Sequence, residues 1–163
     1  HSLGYGAHNK VGDQRVIGTP EKDVVVDKNT NKASVFGLNN EVVGKNVFVA
    51  GNDNKITDTS TSNATVIGFS ATASSANATA IGTAASALAN ETVAIGQAAK
   101  ASGQNSNAYG SQANASGTSS LAVGTGSVAS GDSAVAIGND STVTGGSAVA
   151  IGASATSVRF IPF

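Results

Sequence analysis

Gly68, Gly82, Gly96, Gly110, Gly124, Gly138 and Gly152 stand fourteen residues apart without a break. A fixed short period means that each unit is one small supersecondary element, stable only when stacked on its neighbours. The residue before each glycine is Ile67, Ile81, Ile95, Tyr109, Val123, Ile137 or Ile151. Three before it stand Thr65, Thr79, Val93, Asn107, Leu121, Val135 and Val149. Alternation at period two among branched residues reads as a short strand with these two positions on one face.

A second strand follows each glycine. Three and five residues on come Ala71 and Ala73, Ala85 and Ala87, Ala99 and Ala101, Ala113 and Ala115, then Ser127 and Ala129, Ser141 and Val143. Polar residues such as Thr72, Ser86, Lys100, Asn114 and Thr142 alternate with them, so this strand is small and apolar inward and polar outward. Gly103, Gly117, Gly131 and Gly145 mark a second turn seven residues past the anchor. Alanine favours helices, but glycine twice per fourteen residues opposes one at about 1 kcal/mol per site.

One period is therefore strand, turn, strand, turn, and stacked periods pair in parallel at about 4.8 Å. On this reading the larger residues fill the roll. The residues between them, Ala80, Ala94, Ala108, Ala122, Ala136 and Ala150, then form an outer wall. Such a wall is covered most simply by the same row of another copy, which predicts a side-by-side oligomer of unspecified number.

The totals agree with an elongated shape. Of 163 residues 40% are apolar, much of that alanine, and 4% are aromatic, too few large side chains for a thick core. A net charge of −1 argues against a nucleic-acid partner. No cysteine is present for disulfides or zinc thiolates. Neither an apolar run of membrane-spanning length nor a signal peptide at His1 is found, so the chain reads as a mature piece that does not itself insert into a membrane.

Residues 1–62 read as degenerate repeats with enlarged loops, 63–157 as regular ones, and 158–163 as a tail, cap or cloning remnant. Fourteen of the nineteen charged residues lie in the first segment. Leu3-Gly4-Tyr5-Gly6 resembles the first strand, with Tyr5 inward; Phe36 and Phe48 take the inward places, and Val42 and Ile56 those of the second strand. Gly51 to Gly68 spans seventeen residues, which places three extra residues within Thr57–Ser62. Gly6 to Gly37 spans thirty-one, which reads as fourteen plus seventeen with a second enlargement near Thr19–Asp23, and a polar turn is expected over Asp27–Lys32.

Little chemistry is encoded. His1 and His8 lie near the terminus, with His8 in a turn place, and Asp132 and Asp140 are isolated at turns, so no enzyme is expected. Asn52-Asp53-Asn54 and Asn139-Asp140 lack calcium-loop spacing and read as left-handed turn residues; no metal or cofactor is expected. Gly124-Thr125-Gly126 is no nucleotide fingerprint, since Ala129 replaces its third glycine. The sequons at Asn63, Asn77 and Asn90 arise readily from composition. Mixed outward residues argue against an ice-binding threonine rank.

Ser133–Gly138 and Ser147–Gly152, and more loosely Asn77–Gly82 and Glu91–Gly96, resemble the N-S-V-A-I-G head repeat of YadA-like trimeric autotransporter adhesins. The resemblance implies an all-β, left-handed parallel β-roll solenoid, assembled side by side as a homotrimer through Ala80, Ala94, Ala108, Ala122, Ala136 and Ala150. It further implies a bacterial cell-surface head, carried by a C-terminal outer-membrane anchor that is not in this sequence. Its partner would be a host cell-surface or extracellular matrix protein; the alternative is a structural spacer without a ligand. Contacts are expected in the irregular part, where charge and loop length concentrate: Asn52, Asp53, Asn54, Lys55, Thr57, Asp58, Thr59, Ser60, Thr61 and the turn residue Phe69.

Overall fold

The computed structural model describes residues 33–56, 58 and 60–158, together with the backbone of the strands Leu3–Tyr5, Lys10–Val11 and Val16–Ile17. The fold is an all-β parallel solenoid of about nine turns with about fourteen residues per turn, and among the described residues there is no helix. First strands such as Thr79–Ile81 and Val93–Ile95 build an eleven-stranded sheet. Second strands such as Ser86–Ala87 and Lys100–Ala101 build a ten-stranded one. Register advances by fourteen, with Thr79 beside Val93, Ala80 beside Ala94 and Ile81 beside Ile95.

Two corners close each turn. The anchor glycine begins the first corner because its backbone takes φ near +130°, as at Gly82 and Gly138. A Cβ on Gly82 would also lie 2.5 Å from the carbonyl oxygen of Gly96 in the next turn. Stacked glycines therefore touch backbone to backbone, and no other residue fits the column. Two residues on, and again at the second corner, a residue takes the left-handed conformation: Ala84 and Glu91 in one turn, Ala98 and Asn105 in the next.

The facing of the first strand is the reverse of the expectation. Val66, Ala80, Ala94, Ala108, Ala122 and Ala136 are 0% exposed and Ala150 is 5% exposed, all inside the roll of a single chain. The flanking residues point outward: Ile67 is 37%, Tyr109 37% and Ile151 70% exposed. Phe36 and Phe48, expected inside, are likewise exposed, while Val35 and Val49 between or beside them are buried. The alanines thus cannot line a contact between copies. The cause is the narrowness of the roll: each regular turn buries four small residues, such as Ala78, Ala80, Ala85 and Ala87, and close packing leaves no room for valine and isoleucine ranks as well. The second strand faces as expected, with Ala71, Ala73, Ala99, Ala101 and Val143 buried.

The sequence also carried a sign of this. The row four before the anchors, Ala64, Ala78, Thr92, Ser106, Ser120 and Ala134, is buried and uniformly small, whereas the flanking rows vary from Thr and Asn to Leu and Tyr. Constant small size, not hydrophobicity, marks the interior here.

Ser120 Oγ and Ser141 Oγ are buried without a hydrogen-bond partner, in rows where other turns carry alanine. Ser120→Ala and Ser141→Ala should each raise stability by about 1 kcal/mol, because they remove a desolvated hydroxyl. A lower denaturation midpoint for either would contradict the interior placement.

The N-terminal turns differ in two ways. Their interior is filled by Val35, Val42, Val47, Val49 and Ile56, so the roll begins with larger residues and continues with alanine. The interval of thirty-one does not hold two stacked turns of fourteen and seventeen residues. Leu3–Tyr5 pairs directly with Ser34–Phe36, and Lys10–Val11 with Glu41–Val42. Val16–Ile17 instead pairs with the far side of Leu3–Tyr5, so the chain steps outward before returning. The Tyr5 side chain, the Thr19–Asp23 enlargement, the Asp27–Lys32 turn, both histidines and residues 159–163 lie outside the described residues.

Candidate functional site: an outward apolar ribbon and a split corner

Because the small residues turn inward, the large ones of the first sheet form two ladders on its outer face. Val93, Leu121, Val135 and Val149 belong to one, and Ile67, Ile81, Ile95, Val123, Ile137 and Ile151 to the other. At about 4.8 Å per turn the ribbon runs for roughly 40 Å. Its N-terminal end is aromatic, with the Phe36 and Phe48 rings 5.9 Å apart and tilted by 47°. The outer face of the second sheet carries Thr72, Ser86, Lys100, Asn114, Val128 and Thr142 instead. An exposed apolar patch of this length on one face marks an interaction surface.

The residues expected to meet a partner separate into distinct places. Asn52 and Asp53 lie at the corner after the first strand, together with Phe69, which pairs with Asn52 in register and is 52% exposed. Leu38, missed in the sequence reading, joins them: it is 43% exposed, and its backbone N–H donates to Asn52 Oδ1 at 3.1 Å. Its place one past an anchor glycine, equivalent to that of Phe69, was the available signal.

Asp58 and Ser60 sit at the opposite corner, past the second strand. The register shift of seventeen begins after Ile56 and is complete by Thr61: Val42 pairs with Ile56 fourteen on, and Lys45 with Ser62 seventeen on. The enlargement therefore falls within 57–60. The backbone N–H of Ser60 and then its hydroxyl donate to Asp58 Oδ1, each at 2.8 Å, which lowers the Asp58 pKa below the ordinary carboxylate value. Lys55 is exposed on the second sheet. Thr57 and Thr59 lie outside the described residues.

Asn54 and Thr61 are 0% exposed and cannot touch a partner. Asn54 is structural: its Nδ2 donates to the Gly68 carbonyl at 2.9 Å and to Asn40 Oδ1 at 3.0 Å, and its Oδ1 accepts from the Ala71 N–H at 3.0 Å. The sequon residues Asn63 and Asn77 stack in an exposed amide ladder below Asn46, at 3.2 and 3.1 Å. Among the described residues no group of three or more His, Cys, Asp or Glu converges on a metal position. The rolled sheets thus display an apolar ribbon and an aromatic corner, and among those residues they bring no acid, base and nucleophile together.

Comparison with the curated proteins finds no match. The family model of the YadA head domain repeat (2 copies) matches residues 62–85, 87–113, 101–127 and 129–155, the stretch in which glycine column, alanine interior and outward ribbon are most regular. The chain belongs to the YadA head domain repeat family.

Proposed function

We propose that this chain is the head of a trimeric autotransporter adhesin, displayed on a bacterial surface and binding a host cell-surface or matrix protein. The observation that supports it best is the outward ribbon on a roll of the YadA head family. A YadA head is an adhesin-type surface module and is typically non-enzymatic. In this reading three left-handed rolls stand parallel and bury their ribbons on one another about a shared axis. The interface residues are then Val93, Ile95, Leu121, Val123, Val135 and Ile137, in place of the alanines between them.

Cyclic assembly leaves the second sheet and the corners facing outward. Leu38, Asn52, Asp53 and Phe69 are the partner-binding residues of this proposal, because aromatic and large apolar anchors supply most interface energy. Asp58 and Ser60, at the opposite corner, form at most a separate contact. The test measures binding of the purified chain to host cells and matrix proteins. Phe69→Ala should weaken binding about tenfold or more, while removal of three residues from 57–60 restores the fourteen-residue spacing and should leave fold and binding intact. Equal binding by Phe69→Ala and the parent would move the site elsewhere. No binding by the parent would favour the spacer.

A further inference from the structure

Between Val93 and Ile151 one turn interrupts the apolar ribbon. Where neighbouring turns place Val93 with Ile95 and Leu121 with Val123, the turn between them places Asn107 with Tyr109. Both occupy the outward ladders. The Asn107 amide has no amide above or below it, since its register neighbours are Val93 and Leu121. Its one side-chain hydrogen bond among the described residues is a long one, Nδ2 to the Asn105 carbonyl at 3.4 Å. The asparagines at the second corner differ: Asn46, Asn63 and Asn77 bond one another along the stack. Asn107 therefore keeps its carbonyl oxygen and an N–H for something outside its own roll.

A repeat assembly has a problem of register. Slide one copy past another by a turn, and valine meets valine and isoleucine meets isoleucine again, because Val135 and Ile137 are followed at the same places by Val149 and Ile151. Apolar contact is non-directional and does not distinguish these alignments except at the ends. A buried amide does distinguish them, because it must find a hydrogen-bond partner at its own level. Single polar residues within apolar seams set register in this way at a cost in stability.

We propose that Asn107, with Tyr109 two residues on along the same outward face, fixes the axial register between copies of this chain. The inference rests on the trimeric reading above. In register, each Asn107 meets the same residue of the other copies and the amides bond one another. Shifted by a turn, it faces Val93 or Leu121 and is left unpaired.

The test uses the full chain, and light scattering is read first. A parent that is not three chains in mass overturns the assembly and the register device with it. A trimeric parent in register gives one methyl NMR signal set per residue, since its copies are equivalent. The double variant Asn107→Val, Tyr109→Ile copies the Val93–Ile95 turn, so it should fold and remain trimeric; its ribbon signals should split, as one displaced copy makes all three inequivalent. A single set identical to the parent's, or a split set in the parent, overturns the proposal.

Asn107→Asp gives a second readout. Three carboxylates at one level should reduce the scattering mass threefold at pH 7, and protonation should restore it near pH 4, since an ordinary aspartate has a pKa of about 3.9 and repulsion raises it. Lys100→Asp, exposed on the second sheet, should remain trimeric at pH 7. An Asn107→Asp chain that stays trimeric at pH 7 also overturns the proposal.

Discussion

Ala122→Lys is expected to unfold the central turns of the roll, with loss of the β-sheet circular dichroism signal. Ala122 is 0% exposed within one chain, and the rows beside it, Ala108 and Ala136, are equally buried. Among the described residues no acidic side chain is buried to pair with an ammonium group. An uncompensated buried charge destabilises by about 3–5 kcal/mol, a large part of the 5–15 kcal/mol that a typical domain possesses. Lysine is also far larger than alanine, and overpacking a close-packed interior adds about 1–3 kcal/mol. The loss should appear even in dilute solution, because the defect lies inside the single chain. A folded Ala122→Lys monomer would mean that the alanine row faces outward after all.

Ile137→Lys should behave in the opposite way. Its side chain leaves the outer face of the same strand, next to Val123 and Ile151 in the ladder. An exposed lysine there costs the isolated roll little, since surface substitutions usually stay within about 0.5 kcal/mol. In the proposed trimer it would place one cation per copy against an apolar partner and against the other copies. Burying a large apolar side chain contributes about 1.5–3 kcal/mol, so its loss from every copy, together with charge repulsion, should dissociate such a trimer. Light scattering should fall to one chain mass at micromolar concentration, provided that the freed roll retains its β-sheet signal. Unfolding equal to that of Ala122→Lys would overturn the division of the two faces.

This pair of variants isolates the point at which the sequence reading failed. The rule that large apolar residues lie inside is a statement about globular cores. A roll with three-residue first strands presents one middle residue to the interior and two flanking residues to the exterior, as in Val93–Ile95. Alternation alone leaves the choice of face open, because both faces are apolar.

The sequence alone determined the period, the parallel stacking, the two turns per repeat and the placing of three extra residues within Thr57–Ser62, which the strand register narrows to 57–60. These follow from local chemistry: glycine at the anchors, since a Cβ meets the next turn's backbone, and alternation that fixes strands. It also determined the inward face of the second strand, where only one face is apolar. The tertiary structure decided which face of the first strand closes the roll, because that depends on the distance between the two sheets and hence on side chains about seven residues apart. It decided too that Asn54 and Thr61 are buried while Phe69 and Leu38 share a corner remote from Asp58 and Ser60, since corners are defined only once the turns close. And it decided how the described N-terminal strands pair, with Val16–Ile17 outside Leu3–Tyr5: a chain that steps back past an earlier strand leaves no period to be read.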